Sequence, residues 1–127
     1  MNYTLEHLSI QGCLQLRIGG TWPHKNSRSI ITDIFNIWEK HQKPMLLDMR
    51  GMEGSPSILG DYLDAEGFEV VGFGRVGRIA VLDNPERRKA NDFFETAAHN
   101  RGLTFHFFYA DEQEAIAWLI PKKEGKA

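Results

Sequence analysis

Apolar and polar residues alternate loosely from Tyr3 to Ser9. They alternate more strictly from Cys13 to Ile18, with Leu14, Leu16 and Ile18 on one face and Gln15 and Arg17 on the other. Period-two alternation marks a strand with one wet face, which belongs near a sheet edge. Gln11-Gly12 between the two runs predicts a hairpin. The period then changes. Ile30, Ile31, Ile34, Phe35, Trp38 and His41 form one helical stripe, opposite Asp33, Asn36, Glu39 and Lys40, with Asn26 or Ser27 as cap. The helix must end before Pro44, because the residue preceding a proline avoids helical angles.

The stretch from Pro44 to Ser57, PMLLDMRGMEGSPS, is the one around which the rest of the chain is organised. Met45, Leu46 and Leu47 are a continuous apolar run, as in a strand covered on both faces. Asp48 ends it. Gly51 and Gly54 predict a loop, and Ser55 before Pro56 predicts a helix cap with proline in the first turn. Ile58, Leu59, Tyr62, Leu63 and Ala65 carry that helix on, and Gly67 weakens or ends it. Phe68 to Val76 has no clear period. Arg78 to Asp83, RIAVLD, predicts a second buried strand, and Asn84-Pro85 repeats the cap-plus-proline pattern. Ala90, Phe93, Phe94, Ala97 and Ala98 predict a helix closed by Gly102. Leu103 to Tyr109 predicts an aromatic-rich strand. Asp111 with Glu114 opens a last helix carrying Ala115, Ile116, Trp118 and Leu119.

The order β-β-α-β-α-β-α-β-α implies an α/β fold. A mixed, mainly parallel sheet of about five strands is expected, with the N-terminal antiparallel hairpin at one edge and four helices on both faces. With 127 residues the chain is read as a single domain over 1–120, followed by a lysine-rich disordered tail over 121–127. Net charge is −2, which offers no general attraction for nucleic acid or anionic membrane. No apolar run reaches the roughly 20 residues of a membrane span, and no signal peptide is visible, so a cytoplasmic protein is expected. Cys13 is the one cysteine. It excludes an internal disulfide and is read as a buried structural residue.

Chemistry-bearing motifs are sparse. Gly72 to Gly77 matches G-x-G-x-x-G, but a strand succeeds it where a dinucleotide site needs a helix, so the match is read as a turn. His7, His24, His41, His99 and His106 lack metal-ligand spacing, and no metal or cofactor is expected. Phe105, Phe107 and Phe108 are read as core rather than as a base-stacking platform. No nucleophile elbow is present. Asp48 and Asp83 end central strands. They are carboxylates that commonly cap loops or pair with cations such as Arg50 or Arg75, and an enzyme using Asp48, Arg50 or Asp83 is the weakest of the functional readings. The carboxyl end of the first central strand, and the helix start after it, is where an open α/β sheet places a ligand.

Leu46 to Ser57, Arg78 to Asp83, Phe93 to Gly102 and above all Asp111 to Leu119, DEQEAIAWL, resemble the SpoIIAA-like family of the STAS superfamily, which is also compared with the CRAL-TRIO lipid-binding fold. The resemblance spans about Met1 to Leu119. It implies a sheet of about five strands sandwiched by four helices, and a serine at the helix start that a partner kinase phosphorylates in anti-sigma-factor antagonists. Ser55 and Ser57 are the only serines near that place, in a GSPS context that departs from the family's D-S-S/T-G. The resulting expectation is a non-enzymatic regulatory module. It would bind a protein partner or small amphipathic ligand through Asp48, Arg50, Ser55, Ser57, Tyr62 and Arg75, and its free sheet edges allow a homodimer. The alternative is a carrier of lipid or a similar hydrophobic small molecule, with an apolar pocket lined by Trp38, Phe68 and Phe73.

Overall fold

The computed structural model describes residues 3–22, 27–53, 58–109 and 111–120, and for 58–63 the backbone alone. Its elements are β1 (Tyr3–Ile10), β2 (Cys13–Thr21), α1 (Ser27–His41), β3 (Met45–Glu53), α2 (Ile58–Val71), β4 (Arg78–Leu82), α3 (Arg88–His99), β5 (Thr104–Phe108) and α4 (Glu112–Leu119). This is the predicted order. Gln11 and Gly12 both have positive φ, 50° and 83°, as a two-residue hairpin turn requires. The expected caps at Asn26 and at Ser55-Pro56, and the tail over 121–127, lie outside the described residues.

The sheet order is β1-β2-β3-β4-β5, antiparallel at β1–β2 and parallel elsewhere. Each successive strand is added on the same side of the last. Crossovers of one hand then put their helices on one face. Accordingly the main core lies between the sheet and α1, α2 and α3, where Leu16, Leu47, Ile79 and Phe105 meet Ile34, Phe68 and Phe94. Among the described residues only α4 reaches the opposite face, where Ala115, Ile116 and Leu119 cover Cys13, Leu46, Ala80 and Leu82. Both faces are covered, three helices against one.

Several predicted details change. Gly67 does not end α2, which runs to Val71 before Gly72 and a 3₁₀ turn at Phe73–Arg75. A Cβ on Gly67 would lie 3.1 Å from Ile31 Cδ1, so the missing side chain is what lets α2 pack closely on α1. His41 is exposed rather than part of the α1 core stripe, and its ring lies 5.4 Å from that of His7. Phe93 is 38% exposed, leaving Phe94 and Ala98 as the buried residues of α3. Cys13 is a buried free thiol, and burial pushes its pKa up, as suits a structural cysteine.

Gln15 departs furthest from its pattern. Of the two hairpin strands it is β1 that lies at the edge, so β2 is interior and its expected wet face is partly covered. Gln15 is 0% exposed, and neither amide atom has a hydrogen-bond partner. Its neighbours in register are Leu8 and Leu46. A buried amide left unpaired costs about 1–3 kcal/mol. Gln15→Leu is therefore expected to stabilise the protein by an amount of that order in urea titration. A lower midpoint in the variant would show that the amide is satisfied in solution.

Candidate functional site

The carboxyl end of β3 is built by an irregularity in the sheet. Arg17 pairs with Asp48, and the next pair in register is Gly19 with Gly51. Three steps on β3 thus oppose two on β2, which is one extra residue, a β-bulge. The bulge has two effects. Asp48 and Arg50 close on each other, and the alternation behind them is reset so that Met52 is buried against the main core. The predicted loop at Gly51 is instead strand. A Cβ there would lie 3.5 Å from the Ile18 carbonyl oxygen and 3.6 Å from Gly19 Cα, ordinary contact distances, so the strand does not depend on glycine at this position.

The pairing of β3 with β4 ends at Asp48–Leu82, while β3 continues to Glu53. Its last residues have β2 on one side and no strand on the other. The turn after β4 fills that place with side chains. Arg87 Nη1 donates to the Met49 carbonyl at 3.1 Å, Asn84 Nδ2 to the Arg50 carbonyl at 3.0 Å, and Arg87 Nη2 to the Met52 carbonyl. Asp83, 4% exposed, orients this turn. It accepts from Arg87 Nη1 at 2.5 Å, from Asn91 Nδ2 at 2.9 Å and from the Asn84 N–H at 2.8 Å. Where the sequence predicts a helix cap at Asn84, its amide instead serves β3, Pro85–Arg87 is a 3₁₀ turn, and α3 starts at Arg88.

Asp48 and Arg50 form a two-pronged pair at 2.9 and 2.8 Å, and the Arg50 N–H adds a bond at 3.1 Å. Glu112 at the start of α4 lies 4.0 Å from the same guanidinium. Burial alone would raise the Asp48 pKa. The Arg50 hydrogen bonds and the charges of Arg50 and Arg17 outweigh it and hold the carboxyl below its ordinary value. The Arg50 side chain is 46% exposed, so one part of the site is held and another faces water.

The other expected site residues distribute unevenly. Tyr62 lies on α2, the helix after β3, with only its backbone described. Ser55 and Ser57 lie outside the described residues. Arg75 is not part of this end. α2 carries the chain back along the sheet by roughly 20 Å over its 14 residues, and Arg75 there pairs with Glu39 at 3.7 Å and lies 5.7 Å from the Phe35 ring centre. Asp83 pairs with Arg87 rather than with Arg75. Sequence reasoning missed Arg87 and Asn91. The available signal was the Asp83-to-Arg87 spacing of four across a helix start, which favours an ion pair.

No protein-family model and no curated protein matches the sequence. Among solved structures, the chain is similar to the crystal structure of an anti-sigma factor antagonist from Mycobacterium paratuberculosis. The TM-score is 0.61 at 15% identity, over 92% of this chain and 93% of that one. The two chains therefore share a fold, as the resemblance to SpoIIAA-like domains implies. Among the described residues no group of histidine, cysteine, aspartate and glutamate could hold a metal ion, and no helix is long and apolar enough to cross a membrane.

Arg87→Ala removes the partner of a buried carboxylate and is expected to cost about 3–5 kcal/mol in urea titration, with Arg87→Lys intermediate. Asp48 favours its ionised form in the fold. Its contribution to stability is present above the unfolded pKa of about 3.9 and is lost as pH falls through the lower folded value. Asp48→Asn should therefore flatten the decline of the urea midpoint below about pH 4. An unchanged acid limb would show that other carboxylates carry it.

Proposed function

We propose that this protein is a non-enzymatic regulatory module that binds a protein partner at the carboxyl end of β3, through residues from Asp48 to Ser57 together with Tyr62. The observation that carries the reading is the braced end of β3. Arg87 and Asn84 hold its backbone as a strand would, without the breadth of one, and Arg50, Gly51 and Glu53 stay exposed there. Rigid backbone with exposed polar side chains suits recognition, because little ordering is left to be done on binding. The likeness of fold to an anti-sigma factor antagonist supports a regulatory role. A phosphoryl group on Ser55 or Ser57 fits the same reading, since it would add close to two negative charges to the segment that follows β3 in sequence. The cytoplasm is the compartment this role requires.

The carrier reading draws less support. Trp38, Phe68 and Phe73, expected around an apolar cavity, are buried against other core side chains. Phe68 alone meets Phe73, Phe94 and Phe105 at centroid distances of 4.7, 5.8 and 5.1 Å.

A photo-crosslinking residue at position 53, used in cells of the native host, is expected to trap one discrete protein. The same residue at position 43, at the other end of β3, is expected not to trap it. Equal capture from both positions, or none from 53, would remove the basis for this site. Peptide mapping of the host-derived protein is expected to find phosphate on Ser55 or Ser57, and its absence under all growth conditions would leave binding without that switch.

A further inference from the structure

A second surface lies at the far edge of the sheet. Among the described residues β5 pairs only with β4, so its outer side carries unpaired backbone groups. A groove of about 530 Å³ runs there, lined by Thr104, Phe105 and His106 of β5, by Asp92 and Glu95 of α3, and by Trp118 of α4. Consecutive strand residues point to opposite faces. Phe105 belongs to the α3 side, in the main core, and His106 shares the face of Ala80 on the α4 side. Because all three β5 residues line one groove, the groove straddles the strand edge instead of lying on either face.

The two walls differ in chemistry. On the α3 side stand the carboxylates Asp92 and Glu95. The α4 side presents the Trp118 indole, 5.4 Å from the His106 ring. His106 Nδ1 also reaches Glu95 at 3.3 Å across the strand. This pair, with side chains 47% and 34% exposed, is a light cover over the edge rather than a packed one.

From this we infer that β5 accepts an extended segment of a protein partner as a sixth strand. The added strand would alternate basic side chains, facing Asp92 and Glu95, with aromatic ones, facing Trp118 and His106. Backbone pairing supplies affinity in this mode, and alternate side chains supply specificity. The lysine-rich residues 121–127 are a poorer occupant. Ile120 Cδ1 lies 3.5 Å from where a Gly12 Cβ would be. That side chain points toward the β1–β2 turn, away from the edge of β5 on which Trp118 packs.

The test is a titration of the full-length, ¹⁵N-labelled protein with an acetylated, amidated hexapeptide alternating lysine with tyrosine. The expected result is chemical-shift change and slowed hydrogen exchange at the β5 amides not bonded to β4. Backbone N-methylation of alternate peptide residues should abolish it. Glu95→Lys should weaken binding roughly fivefold to tenfold, and a peptide alternating glutamate with tyrosine should bind more weakly still. Equal binding of the N-methylated peptide, shifts confined to other elements, or no binding at millimolar peptide would overturn the proposal. So would a free protein whose outer β5 amides are already protected. If that protection vanishes when Lys122, Lys123 and Lys126 are changed to glutamate, the occupant is this chain's own end; if it vanishes on dilution, the occupant is a second copy. Crosslinking from position 53 reads the other site, so either result leaves the two proposals separable.

Discussion

Arg87 solves a problem that the sheet creates for itself. β3 outruns β4 by several residues, and a strand without a neighbour exposes a row of carbonyl oxygens. One guanidinium, 16% exposed, answers those of Met49 and Met52, and Asn84 answers that of Arg50. A guanidinium can do this because it is planar and offers several donors in a fixed fork, which a lysine cannot match. Its charge is balanced by Asp83, which also fixes the turn that delivers Arg87. The end of β3, the bulge behind it and the burial of Met52 all presuppose this contact.

The winding of the chain explains why an elaborate end to β3 exists. Many open α/β sheets reverse their strand order at some point, and the helices diverge there to leave a crevice. Here the order never reverses, so α1, α2 and α3 lie side by side and no such crevice is made. A binding surface then has to be built from strand ends and edges. The bulge at Met49–Arg50 and the bare side of β5 are two places where this sheet is irregular or incomplete.

Most of the architecture was legible because its signals are local and repeated. Leu14, Leu16 and Ile18 at period two, and Ile30, Ile34 and Trp38 at helical period, each point to one answer. The misreadings share a cause, which is that a neighbour distant in sequence decided the outcome. Gln15 reads as wet until α4 is laid over its face. Gly67 reads as a break yet marks a close approach to α1, and Gly51 reads as a loop yet pairs in strand with Gly19 of β2. At the site, Asp48 and Arg50 were visible as a pair two residues apart. The bracing by Arg87 links residues 35 and 38 positions apart, and no periodicity reports such a link. Arg75 goes with Asp48 by chemical type alone, and the length of α2 separates them.

Trp118 has a further significance in its surroundings. Of the three tryptophans, Trp38 is buried beside Phe35 and Trp22 is stacked against Phe68. Trp118 is flanked by polar, ionisable groups, with the Arg78 guanidinium 5.0 Å from its ring centre and the His106 imidazole beside it. Indole emission is sensitive to nearby charge and to water. The protein thus carries a native optical reporter at one margin of its sheet, with the buried Trp38 as an internal reference.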